Sequence, residues 1–301
     1  MYTAHFGLKE RPFSISPDPR FLFLTAQHQE ALAKCQYAIA ERMGISAIYG
    51  DIGAGKTSLA RRLWEQYAAD PACRFAMLVH PNYPSPFQLL STIMAEFGLA
   101  RQGRSLADKL AAFQEFLIEE HAQGHTVILV LDEAQNLKPP LLELLRELLN
   151  FETNRAKLLQ IVLFGQNELM ARLERVPELK DRITLFGALS SLTYDDVQAL
   201  IDYRWRVAGG REHPFSSEAL RTIFAATRGL PRQVCKLCDN ALIRAYSQEL
   251  STIDTPTIAQ VAQEIHLAEP EAPRLPQLGR RRKYGHKNAP RYFRQAHVTR
   301  R

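Results

Sequence analysis

The sequence predicts a parallel α/β fold, followed by a helical unit and then by a basic segment with no periodic apolar pattern. Three observations carry this. A glycine-rich loop lies between a strand pattern and a helix pattern at 45–67, and a wholly apolar run at 127–131 ends in two carboxylates. From about residue 193 the alternation of strands and helices gives way to helices alone.

Residues 50–57 read Gly-Asp-Ile-Gly-Ala-Gly-Lys-Thr, a complete G-x-x-x-x-G-K-[ST] loop. Gly50, Gly53 and Gly55 let the backbone around Asp51, Ile52 and Ala54 turn its N–H groups onto β- and γ-phosphates, where side chains would collide. Lys56 can reach the β/γ oxygens, and the Thr57 hydroxyl suits Mg²⁺. Ser58 lies in the first turn of a helix whose positive dipole end adds free N–H groups to the cradle. An ordinary glycine turn ahead of a helix is the alternative, and the strand–loop–helix context argues against it.

The run Val127–Leu131 suits a central strand buried on both faces. Asp132 and Glu133 follow at its carboxyl end, where open α/β sheets bind ligands. Asp132 is placed to hold Mg²⁺ through water, and Glu133 to polarise a water against the γ-phosphate. A solvated loop carboxylate is the plainer reading of Glu133. Together the two motifs predict ATP or GTP binding with hydrolysis.

The elements follow in order. Residues 1–24 are rich in aromatic rings and proline and read as an ordered arm lying on the core. A first helix is expected at 26–42, a strand at 45–49, a helix to Tyr67, a strand at Phe75–His80 and a helix at 86–97. A loop carrying Arg101 and Arg104 precedes a helix at 105–122. After the acidic pair, Pro139-Pro140 opens a leucine-dense helix, and Leu158–Phe164 reads as a buried strand. Thr193 and Ser216-Ser217 are helix start signals. The domains expected are an arm with first helix at 1–42, a nucleotide-binding core at 43–190, a helical lid at 191–268 and a disordered basic tail at 269–301.

Composition narrows the class. Of 301 residues, 46% are hydrophobic and 23% charged, which is ordinary globular composition. No run approaches the roughly 20 apolar residues of a membrane span, and the N-terminus lacks a signal core, so a cytoplasmic protein is expected. Residues 271–301 hold ten Lys/Arg and one Glu, a charge of +9 against +6 for the whole chain, which leaves the first 270 residues at −3. Cys235 and Cys238 form C-x-x-C, a redox or metal half-site if partnered and two buried small residues one helical turn apart if not.

Three further polar residues are candidates. Gln166, at the end of the fourth strand, can orient water or sense the γ-phosphate. Arg232, in Gly-Leu-Pro-Arg at the head of a helix, can reach a phosphate. Arg182, in Lys-Asp-Arg-Ile before the last core strand, can act on a neighbouring subunit's nucleotide, as trans-acting arginines do in phosphoryl transfer. Each has a structural or surface role as its alternative.

The segments HFGLKERPFSISPDPRFLFLTAQHQEAL, GDIGAGKT, LVLDEAQNL, LLQIVLFGQNEL, LKDRITL and GLPRQVCKLCDNALIRAY occur in this order. Over roughly residues 1–265 the chain therefore resembles ExeA-like AAA+ ATPases of the general secretion pathway protein A type. The same branch includes transposition regulators of the TnsC, TniB and MuB kind. The resemblance implies an ATP- and Mg-dependent P-loop ATPase that assembles into rings or filaments, with sites shared between subunits. It assigns Lys56 and Thr57 to Walker A, Asp132 and Glu133 to Walker B, Gln166 to sensor 1, Arg232 to sensor 2 and Arg182 to the finger position. One departure stands out: a further basic residue is expected in the strand after Arg182-Ile183, where the sequence has Thr184-Leu185-Phe186.

Secretion ATPases of this type look longer, with a membrane anchor and a peptidoglycan-binding domain after the ATPase. The shorter form and basic tail are more like the transposition regulators. The first expectation is therefore an oligomer on duplex DNA, touching it through Arg101 and Arg104 and recruiting a transposase. A secretion or envelope-assembly ATPase acting on protein partners is the alternative, and a nucleotide-dependent switch with little turnover is a third.

Overall fold

In the computed structural model, residues 1–15, 18–99, 103–154 and 156–267 are described. Five strands form one all-parallel sheet: β1 (Ile45–Gly50), β2 (Cys73–Val79), β3 (Thr126–Asp132), β4 (Leu159–Gly165) and β5 (Leu185–Leu189), in the order β2-β3-β4-β1-β5. The helices are α1 (Tyr2–His5), α2 (Ala26–Ala40), α3 (Lys56–Tyr67), α4 (Pro86–Glu96), α5 (Leu106–Ala122), α6 (Pro139–Leu148), α7 (Glu168–Leu173) and α8 (Pro177–Lys180). After β5 come α9 (Tyr194–Val207), α10 (Ser217–Thr227), α11 (Pro231–Ser247) and α12 (Thr255–Glu264).

Side chains alternate across a strand, so a strand buried on both faces feeds two cores. On β3, Val127, Leu129 and Leu131 pack with residues of α4, α5 and α6. Ile128 and Val130 face the other way, with Leu59 and Leu63 of α3 and with Ala31, Cys35 and Ile39 of α2. That double burial is why residues 127–131 read as an unbroken apolar run. The strand expected at Phe75–His80 instead begins at Cys73, whose register partner on β3 is Thr126. His80 falls beyond the strand in a left-handed backbone conformation, φ +64°. The short helices α7 and α8, which connect β4 to β5, were not anticipated from periodicity.

Side-chain caps set several helix starts. Ser105 and Asp108 form a capping box on α5, and Thr193 and Asp196 form one on α9, each pair satisfying two otherwise orphaned backbone donors. Ser216 caps α10 and Asp254 caps α12. Among the described residues no helix is long and apolar enough to cross a membrane.

The amino-terminal arm departs from expectation. It is ordered over its described residues, but its rings do not lie on the sheet core. Tyr2, Leu8, Phe13 and Phe21 belong to the apolar cluster of α9–α12, beside Val197, Trp205, Leu237 and Ile258. The reason is availability, since helices already cover both faces of the sheet. Polar contacts fasten the arm down. The Tyr2 hydroxyl donates to Asp239 on α11 at 2.5 Å, and the Arg11 guanidinium donates to the same carboxylate. Arg204 on α9 donates to the carbonyls of Pro12 and Ser14, both at 3.2 Å. Burial and the bond to Asp239 push the Tyr2 hydroxyl well above the usual phenol range.

Phe13 is fully buried among residues far along the chain. Phe13→Ala is therefore expected to lower the unfolding free energy by about 3–5 kcal/mol, read by denaturant titration. A loss under about 1 kcal/mol would mean that the arm is not part of the bundle core.

Candidate functional site

The loop between β1 and α3 is shaped by close approaches. Gly55 has φ +99°, and a Cβ there would stand 2.7 Å from His28 Nε2. Gly53 has φ +83°, and a Cβ there would meet the Arg232 side chain at 3.1 Å. Both conformations are open to glycine and strained for other residues. The loop leads directly into α3, whose first-turn N–H groups face the same space.

Lys56 is 5% exposed, and its ammonium donates to the carbonyls of Gly50 and Asp51, both at 2.8 Å. Burial pulls its pKa down, opposed by Glu133, Asp132 and Asp51. The Thr57 hydroxyl donates to Asp132 Oδ2 at 2.7 Å. Asp132 is 1% exposed, and burial pushes its carboxyl up, against hydrogen bonds from Thr57 and the Glu133 N–H. A hydroxyl and a carboxylate converging at the mouth of a phosphate loop are hard oxygen donors, and the set fits Mg²⁺.

Glu133 has φ +56°, which turns the chain sharply after β3. Its Oε2 accepts from Gln135 Nε2 at 2.5 Å and from Gln166 Nε2 at 3.2 Å. Gln166 follows β4, the strand between β1 and β3, so its side chain arises in the gap separating the phosphate loop from the acidic pair. The Asn167 amide donates to Asp51 Oδ1 at 2.6 Å, bracing the loop from the same side.

A cleft of about 400 Å³ joins these parts, within the range of small-molecule sites. Gly53, Lys56, Thr57, Glu133 and Gln166 line one end, and Ile52 and Ser58 also border it. The arm contributes Ile15 and Phe21, α9 contributes Leu200 and Arg204, and α11 contributes Pro231, Arg232 and Cys235. Arg232 reaches the cleft because Pro231 starts α11 beside a tight turn. The segment between β5 and α9 holds that turn in place, the Leu192 N–H donating to the Gly229 carbonyl at 2.8 Å. An aromatic and aliphatic slot next to a cationic phosphate cradle is the chemistry of a nucleotide site.

The sequence candidates thus divide. Lys56, Thr57, Asp132, Glu133, Gln166 and Arg232 converge. Arg182 does not line the cleft; it donates to the Arg146 carbonyl at 3.2 Å and to Asn150 Oδ1 at 2.7 Å, beyond the end of α8. The β5 strand, Leu-Phe-Gly-Ala-Leu, carries no basic residue. Arg104 is exposed ahead of α5, its N–H donating to the Asp108 side chain at 3.1 Å, and it does not border the cleft. Arg101 and the basic tail lie outside the described residues. Cys235 and Cys238 are buried one turn apart on α11, where desolvation pushes both thiols up. Among the described residues no group of three or more His, Cys, Asp or Glu could hold a metal ion.

Sequence reasoning missed His28. It is 3% exposed under the loop, with Nε2 2.8 Å from the Ala54 carbonyl and Nδ1 2.7 Å from the Thr25 hydroxyl. With Nε2–H donating to Ala54, the Thr25 hydroxyl donates to Nδ1, which is the neutral tautomer. Burial holds its pKa below the usual histidine value. Nothing in a lone histidine on a helix signals this role. Gln135 was also missed, although it sits in the quoted Asp-Glu-Ala-Gln string.

Residues 39–173 match the AAA domain family. The chain is 37% identical over 268 residues to General secretion pathway protein A of Aeromonas hydrophila. The match takes in 88% of this chain and 48% of that protein, so the chain spans about half the length of this relative. Similar solved structures include Cdc6p from Pyrobaculum aerophilum, with a TM-score of 0.67, 22% identity, and 84% of this chain and 70% of that one covered. Drosophila ORC bound to DNA gives 0.64 at 18% identity, covering 85% and 65%. The Thermotoga maritima RuvB Holliday junction branch migration motor gives 0.55 at 14%, covering 83% and 74%. At these identities the structural likeness establishes the fold.

Neutral His28 favours the folded state at pH values above its unfolded pKa of 6.5, and this contribution is lost as pH falls through the depressed native value. His28→Leu leaves the Ala54 carbonyl unpaired, at a cost of about 1–3 kcal/mol near pH 7.5. The stability gap between wild type and variant should narrow by pH 5, as measured by denaturant titration at both values. A gap that stays constant with pH would refute the neutral-histidine assignment.

Proposed function

We propose that this chain, a member of the AAA family, binds ATP with Mg²⁺, hydrolyses it and couples the cycle to self-assembly and to a protein partner in secretion or envelope assembly. The convergence of Lys56, the Thr57–Asp132 pair and Glu133 at one end of a single cleft carries the catalytic part. Lys56, whose ammonium rests on two loop carbonyls, would exchange them for the β/γ oxygens of a bound nucleotide. Thr57 and Asp132 would hold Mg²⁺, which would supply charge neutralisation for those oxygens. Glu133 polarises the attacking water, Gln166 orients it, and Arg232 meets the phosphates from the α11 side, so that the helical unit acts as a lid. The arm, α9 and α11 form the slot for the base.

Arg182 supplies charge to a neighbouring copy's site, and its position outside this chain's own cleft supports that role. Identity of 37% to a general secretion pathway protein supports the protein-partner reading over the DNA reading. The run Arg280-Arg281-Arg282-Lys283 and exposed Arg104 keep duplex DNA, with a recruited transposase, as the second reading. Both readings place the cycle in the cytoplasm, where ATP is available.

Lys56→Ala is expected to abolish binding of a fluorescent ATP analogue. Glu133→Gln should keep binding but lower turnover by about 100-fold or more, trapping the assembled state. Arg182→Ala should retain nucleotide yet lower turnover, with activity restored when it is mixed with Lys56→Ala subunits that carry an intact Arg182. A wild-type protein with no affinity for ATP in the presence of Mg²⁺ would end the proposal. Failure to retain duplex DNA at moderate salt with an ATP analogue would end the second reading.

A further inference from the structure

Gln135 occupies the middle of a short 3₁₀ turn, Ala134–Asn136, that follows directly from Glu133. The turn is closed by two backbone bonds, Asn136 N–H to the Glu133 carbonyl at 2.9 Å and Leu137 N–H to the Ala134 carbonyl at 3.1 Å. Leu137 is fully buried, so the turn is anchored in the core. Gln135 is 8% exposed, and its side-chain amide is hydrogen-bonded at both ends. Its carbonyl oxygen accepts from the Gln166 backbone N–H at 2.9 Å, and its amide donates to Glu133 Oε2 at 2.5 Å. Only one amide orientation satisfies both neighbours, because a carboxylate cannot donate and an N–H cannot accept.

Room for this contact depends on the end of β4. A Cβ at Gly165 would stand 3.3 Å from Gln135 Oε1 and 2.7 Å from the Leu169 side chain. Gln166 holds the same carboxylate oxygen, but more loosely, at 3.2 Å. The two glutamines therefore differ in freedom. The Gln135 amide is buried and pinned at both ends, while Gln166 lines the cleft and can turn to a ligand.

We infer that Gln135 is a positioning residue for the hydrolytic step. It fixes the Glu133 carboxylate in one orientation, so that the Gln166 amide is free to leave Glu133 for the nucleotide. This rests on the ATPase reading above. A carboxylate held by a single rigid donor keeps its second oxygen directed at water, whereas an unheld one samples several rotamers.

The experiment measures single-turnover ATP hydrolysis, nucleotide affinity and thermal midpoint for the full chain, in wild-type and Glu133→Gln backgrounds. Gln135→Met removes both bonds at similar volume. Gln135→Glu keeps an acceptor for the Gln166 N–H, removes the amide donor and sets a second carboxylate against Glu133. Each is expected to lower the hydrolysis rate about tenfold or more, with nucleotide affinity unchanged within about twofold. In the Glu133→Gln background neither should lower the residual rate further, because the residue acts through Glu133. An equal fractional loss in both backgrounds, a loss confined to affinity, or an unchanged rate would overturn the inference. If Gln135→Met fails to fold, the Gln135→Glu pair decides alone. Wild-type protein that hydrolyses nothing would instead refute the ATPase reading, which separates the two failures.

Discussion

Two strands that never pair are tied together at their carboxyl ends by a hydrogen bond of 2.7 Å from Thr57 to Asp132. β4 lies between β1 and β3, and two strand spacings put their axes about 10 Å apart. The loop after β1 bridges that distance by passing over the end of β4 and starting α3 there. Everything else at the site is arranged around this bridge. Gln166 emerges from β4 in the gap beneath it, and Glu133 turns back toward it through a left-handed residue. A slip of one residue in β3 would point Asp132 to the opposite face of the sheet and leave Thr57 without a partner.

Burial makes this arrangement electrostatically receptive. Lys56 is driven toward its neutral form and Asp132 toward its protonated form, because each charge sits away from water. Their present partners, loop carbonyls for the lysine and a hydroxyl with a backbone N–H for the aspartate, satisfy hydrogen bonding without cancelling charge. A phosphate beside the lysine and a divalent cation beside the aspartate would favour both charged forms. The same burial that disfavours isolated charges therefore favours a paired, charged ligand.

The arm gives the cleft its far wall and joins distant parts of the molecule. Tyr2 and Arg11 share Asp239 on α11, while Arg204 on α9 holds the arm's backbone at Pro12 and Ser14. Eleven residues on from Ser14, Thr25 positions His28 against the Ala54 carbonyl of the phosphate loop. One continuous segment thus touches the helical unit that bears Arg232 and the loop that bears Lys56.

Much of this was readable along the chain. The loop at 50–57, the run at 127–131 and the cap signals at Thr193 and Ser216 each lie within one local stretch, where residue spacing alone dictates backbone shape and side-chain direction. Parallel pairing of the core and the placement of Gln166 followed from the same patterns. The arm's packing partner, the anchoring of His28 under Ala54, and the Gln135 bridge from Glu133 to the Gln166 N–H were not readable. Each joins residues brought together only when the strands take the order β2-β3-β4-β1-β5 and the helical unit closes over them. Local chemistry depends on neighbours in sequence. Which buried donor finds which acceptor depends on the order in which strands lie side by side, and no spacing along the chain encodes that directly.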